Sequence, residues 1–296
     1  EPGPSLFIVR DPAGIAAVKL RSKDDPSTPH DDDELTVFGL NSGRSEIIFN
    51  TSLYAASIYG SVGSGPGRFR EPTDLAADER GNLFVSDTGN DRIVRLVYEG
   101  DTLRYVRSFG TRGTGEREFR SPAGIALGAS GRVYIADRRN DRIVVMTATG
   151  RVVETFDGEG LQEGLRRPAG LDAVEAGSPW IAGRRSVIAV SDRNGDRLST
   201  FDMEGSLLAT VSADSLPVDG ASFGDLAIDY YGSVYVVDTG LGAIHKFGSE
   251  LEYVTTLGGP GGGDAEFDEP RGITIWRRFG QIFITERAGA QYYWIG

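Results

Sequence analysis

The sequence has no cysteine, which excludes disulfides, thiolate metal sites and a cysteine nucleophile. Histidine is nearly as scarce, with His30 and His245 the only two. They stand in separate parts of the chain and do not supply the clustered ligand set that a zinc ion needs. No stretch approaches the roughly 18 consecutive apolar residues of a membrane-spanning helix. Bases are the minority charge, 31 against 43 acids, for a net −12. A phosphate backbone would be repelled by that balance, so no nucleic-acid partner is expected. The opening residues "EPGPS" lack both a methionine and the apolar core of a signal peptide, so the chain reads as a processed or trimmed product of extracellular or periplasmic origin.

What the sequence has instead is glycine, 41 of 296 residues, and repetition. "SPAGIAL" at 121–127 has counterparts in "DPAGIAA" at 11–17, "EPTDLAA" at 71–77, "RPAGLDA" at 167–173, "SFGDLAI" at 222–228 and "EPRGITI" at 269–275. A second motif keeps pace: "GLNSGR" from Gly39, "DTGNDR" from Asp87, "DRRNDR" from Asp137, "DRNGDR" from Asp192, "DTGLGA" from Asp238 and "ERAGAQ" from Glu286. Two motifs with one period mark a repeat architecture.

Between them, each unit reads as strands. "GNLFVSD" and "GRVYIAD" are followed by "RIVRLV" and "RIVVMT", all rich in β-branched and aromatic residues. No unit holds a helical apolar period. A four-stranded meander that is apolar on both faces cannot bury itself, and radial stacking buries it. The expected fold is therefore all-β, a single six-bladed β-propeller over residues 1–296, with blades starting near 11, 71, 121, 167, 222 and 269. The last unit supplies only three strands, and "SLFIV" at 5–9 is expected to complete it, closing the ring and removing an exposed edge.

"FREPTDLAADERGNLFVSDTGNDRIV" and "FRSPAGIALGASGRVYIADRRNDRIV" resemble NHL repeats, which build six-bladed propellers. The resemblance covers residues 11–296 and implies the fold far more than a function, since the family includes lyases, RNA-binding domains, sensors and adhesion modules. Its peptidyl-hydroxyglycine lyases place several histidines around a channel metal, which His30 and His245 do not match.

Related lactonases hold calcium with oxygen ligands at the channel mouth. Here the residues that start the inner strands are Gly14, Asp74, Gly124, Gly170, Asp225 and Gly272. Asp74 and Asp225 break the glycine pattern in opposite blades, and with Thr73 and Arg271 on the same rim they are the candidate site for a ligand or a calcium ion. The plainer alternative is that both carboxylates accept backbone amides at strand starts. The glycine-rich stretches at 60–69 and 258–267 precede strands, so they read as interblade loops and not as phosphate loops.

Two insertions stand out, the acidic run Asp31, Asp32, Asp33 and Glu34, and "AVEAGSPWIAGRRS" at 173–186 with Trp180, Arg184 and Arg185. The first reads as a solvated loop or a weak calcium binder, the second as a loop with its tryptophan tucked under it or an interface. Both are expected on the face away from the acidic turns.

A catalytic group is needed once, so an acid repeated in five units is architectural. The carboxylates of Asp87, Asp137 and Asp192 are expected to accept turn amides, with Asp238 in the same place. Arg92, Arg142 and Arg197 are expected to bridge towards a neighbouring blade. The function expected is that of a non-catalytic binding or scaffold module of a secreted or cell-surface protein, with a calcium-dependent hydrolase or lyase as the alternative.

Overall fold

The structure is a computed structural model that describes residues 8–23, 35–52, 55–178, 181–182, 185–263, 265–287 and 289–294. Among these, the strands form six antiparallel sheets in consecutive order along the chain, five with four strands and the last with three. The inner strands are Pro12–Lys19, Asp74–Ala77, Pro122–Leu127, Leu171–Val174, Leu226–Ile228 and Gly272–Trp276. The inner strands of blades one and six also pack together, which brings the first and last sheets into contact.

The sheets assemble because each is apolar on both faces. In blade two, Leu83 and Val85 belong to a core shared with Phe38 and Phe49 of blade one. Phe84, between them in sequence, enters a different core with Ile125 and Ile135 of blade three. Alternation along a strand thus feeds two interfaces. Burying a side chain of this size contributes roughly 1.5–3 kcal/mol, and Tyr134 and Tyr235 fill the place of Phe84 in blades three and five.

Of the segment 5–9, residues 5–7 lie outside the described residues. Ile8 and Val9 are not in a strand, and Ile8 C=O accepts the Asn41 side-chain amide at 2.9 Å beside blade one.

Candidate functional site

The acidic turns come first, because they hold the frame. Asp87 is fully buried and accepts the Arg70 amide at 2.7 Å, the Asn90 side chain at 2.9 Å and Arg92 Nε at 2.7 Å. Asp137 does the same with Arg120, Asn140 and Arg142. Asp192 takes the Arg166 amide and Arg197. The amides thus come from the loop that enters the blade and not from the turn itself, whose short 3-10 segments show no side-chain cap. Asp238 does bond a turn amide, that of Leu241 at 2.9 Å, alongside Ser222 N at 2.7 Å. Arg92 reaches the carbonyls of Ser64 and Arg68 in the loop arriving from blade one, and Arg142 reaches Gly115 and Glu118 in the next such loop. The second acid of the motif points onward, since Asp91 accepts Ser121 N and Asp141 accepts Arg167 N of the following blade.

In blade one the phase read from sequence shifts by two. Asn41, not Gly39, stands at the turn position, accepting Arg10 N at 2.7 Å. A neutral amide replaces the carboxylate there, which hid the match.

At the axis, the glycines are compelled by crowding. A methyl group on Gly124 would sit 2.3 Å from Ala169 O, and one on Gly170 2.3 Å from Gly224 O. Inner strands leave their channel-side amides without a strand partner, and buried amides need acceptors. Asp74 provides one, spanning two blades with bonds of 2.8 Å from Leu75 N and 2.8 Å from Ile125 N. Asp225 accepts Ile273 N of blade six at 3.0 Å and Leu226 N of its own blade. Both line one axial cavity of about 130 Å³.

Asp172 of blade four lines the same cavity. It accepts Ala173 N and Ile228 N, each at 2.8 Å, and pairs with Arg277 Nη2 at 2.5 Å. Thr73 and Arg271 are not brought into this group. Thr73 Oγ1 bonds Thr88 Oγ1 at 2.7 Å, and Arg271 pairs with Glu269 at the surface.

Burial and the neighbouring carboxylates disturb the ionisation of Asp74 and Asp225. Burial first, and then the charge of Asp225, push Asp74 well above the usual carboxylate range, although two amides pull it down. Burial lifts Asp225 to about 7, against the amides of Ile273 and Leu226, with the charge of Asp172 adding to the rise.

Residues 119–146 match the family model described as NHL repeat. The chain carries an NHL repeat. Its fold is shared by solved structures of low identity. A gluconolactonase from Xanthomonas campestris superimposes with a TM-score of 0.64 and 14% identity, over 96% of this chain and 86% of that one. The virginiamycin B lyase of Staphylococcus aureus gives 0.58 and 15%, over 88% and 77%. A calcium-binding protein, regucalcin, from Agrobacterium tumefaciens gives 0.56 and 12%, over 94% and 83%. At these identities the likeness is one of fold. A comparison with curated proteins gives no match.

The propeller holds two axial residues that the sequence does not single out. Asp172 lies two positions beyond Gly170, where other blades carry Ala16, Ala76, Ala126, Ala227 or Thr274. An acid in that small-residue column was the available signal. Arg277 left none, because its partner is 105 residues away. His245 is fully buried, with Nε2 3.1 Å from Asp238 and Nδ1 2.9 Å from Thr256 Oγ1, and packs edge-on to Phe223. His30, the run Asp31 to Glu34, Trp180 and Arg184 lie outside the described residues. Arg185 is described and pairs with Glu250 at the surface.

At the opposite end from the acidic turns the channel widens into a basin of about 650 Å³. Arg277 lines both spaces and so stands at the neck between them.

Proposed function

We propose that this chain is a non-catalytic propeller that binds a ligand or a protein partner, with its axial carboxylates serving the ring. The observation that carries this reading is the bonding of Asp74, Asp172 and Asp225, each of which joins amides of two successive blades. A calcium ion takes about six to eight oxygens, several from carboxylates. Carboxylates already committed to amides are a poor fit to that need. Among the described residues no three His, Cys, Asp or Glu side chains are grouped to hold a metal.

Similarity to a gluconolactonase and to a lyase supports the alternative, a calcium-dependent hydrolase or lyase acting at the channel. A calcium titration of wild type and Asp74→Ala, followed by calorimetry and thermal melts, separates the two. The expected outcome is no binding heat and no calcium-dependent rise in Tm for either protein. A rise in wild type that Asp74→Ala abolishes would replace the binding reading with the cation-dependent one.

A further inference from the structure

We infer that Arg138 and Arg139 of blade three and Arg167 of blade four form a binding site for a phosphate group, on the face of the ring that carries the acidic turns. The inference rests on the binding reading above and gives it a ligand class and a place. Arg138 and Arg139 begin the 3-10 turn Arg138–Asn140 that follows Asp137. Arg167 belongs to the loop entering blade four, and its amide donates to Asp141 Oδ1 at 2.7 Å, which brings it to the same turn.

The fold does not need an arginine at the first of these positions. In blades one, two and five the place is held by Ser42, Thr88 and Thr239. Their hydroxyls donate to proline carbonyls of the following blade, Ser42 to Pro72, Thr88 to Pro122 at 2.6 Å and Thr239 to Pro270 at 2.6 Å. Arg138 makes no bond of that kind, and its Nε is buried with no hydrogen-bond partner. A charged donor buried without an acceptor is costly, and an anion from outside the chain would supply one.

The positive charge here is left over once the neighbouring acids are counted. Asp141 pairs with Arg166 at 3.9 Å, and Glu163 with Arg193 at 3.3 Å. Asp137 is taken up by Arg142 and Asp192 by Arg197. Asp91 accepts Ser121 N and keeps its charge, which can be set against Arg120 of the same loop. Arg138, Arg139 and Arg167 then have no acid. Among the described residues none of their three side chains makes an ion pair or a hydrogen bond. Burial first, and then the charges of Arg167 and Arg139, hold the pKa of Arg138 below the ordinary arginine value, with no carboxylate acting against them. Arg138 is half-buried and the other two are exposed, so all three can be reached from solvent. A phosphate group carries close to two negative charges near neutral pH and offers three acceptor oxygens. That suits three guanidiniums better than the single charge of a carboxylate does.

Isothermal titration of the whole chain at low ionic strength with inorganic phosphate, phenyl phosphate and benzoate tests this directly. Both phosphates are expected to bind, and benzoate at least about ten-fold more weakly, the scale of one lost charge-assisted hydrogen bond. Tighter binding of phenyl phosphate than of the free ion identifies a phosphorylated organic ligand, and the reverse order identifies the ion itself. Arg138→Met keeps the apolar stem and loses no bond, so its Tm without phosphate should not fall below that of wild type. Arg167 serves the fold through its amide, so Arg167→Gln should also leave Tm in place. Each variant is expected to weaken phosphate at least about ten-fold. No heat with either phosphate, equal binding of benzoate, or an affinity unchanged in either variant overturns the proposal. Calcium and Asp74 have no part in this titration. A negative result is therefore distinct from a failure of the axial reading, which the calcium titration decides.

Discussion

A buried aspartate survives in a core only when its oxygens are occupied, and Asp87 shows how this chain arranges it. One oxygen holds the blade's incoming loop through Arg70 N, and the other holds Asn90 and Arg92. Arg92 then spends its remaining donors on carbonyls of that same loop. Removing the arginine strands a carboxylate that has no solvent exposure. Arg92→Leu should therefore destabilise the protein by about 3 kcal/mol or more, the range for breaking a buried pair by deleting one partner. Asn90→Ala removes one neutral donor and should cost about 1 kcal/mol. Urea unfolding of the two variants checks the order, and equal losses would show that the ion pair carries no special weight. Much of this was legible from the repeat, because a side chain written into five turns had to be structural. The direction of its bonds was not, since the loop amide lies 17 residues upstream and periodicity does not record which backbone group comes near.

At the scale of the blade, two devices recur. The pairing of third and outer strands slips at the same place in four sheets, at Arg95/Leu96, Val145/Met146, Thr200/Phe201 and Lys246/Phe247, each time with one extra residue in the outer strand. An extra residue there bends and twists the outer strand as the sheet fans away from the axis. Nothing in the strand composition marks it. The inner strands carry the second device, the carboxylate staple between neighbouring blades, and it makes stability depend on pH. Asp225 has a folded value of about 7 against 3.8 for an unconstrained aspartate. A raised folded value means that its contribution is complete below the unfolded value and is lost as pH climbs through the folded one. The Tm of wild type, measured relative to Asp225→Asn, should thus fall between about pH 4 and about pH 7. Asp74 is raised in the same direction, so Asp74→Asn should show the same trend. A wild-type minus variant difference that stays flat across this interval would mean that the axial cavity does not hold these carboxyls back from ionising.

For the whole molecule the question is how a ring made of similar blades is fastened where the chain begins. Every blade has its incoming loop held by the side chain at the turn: Asn41 on Arg10, Asp87 on Arg70, Asp137 on Arg120, Asp192 on Arg166, Asp238 on Ser222 and Glu286 on Asp268. In blade one that loop is residues 8–11, and Asn41 holds it twice, through Arg10 N and Ile8 O, while Arg10 O accepts Gly43 N. Deleting residues 1–10 removes all three bonds, at about 1 kcal/mol each. For a domain of this size each such step lowers Tm by roughly 2–4 °C, so a drop of several degrees is expected in a thermal melt. Asn41→Ala removes two of the same bonds from the other side. If the clamp is the whole contribution of the N-terminal segment, combining the deletion with Asn41→Ala should lower Tm little further than the deletion alone, because the two changes act on shared partners. A deletion that costs far more than Asn41→Ala would require residues 1–7 to add stability of their own, as a strand completing the sixth sheet would. An unchanged Tm on deletion would mean that the ring is fastened without this segment, and would count against both the clamp and the closing strand.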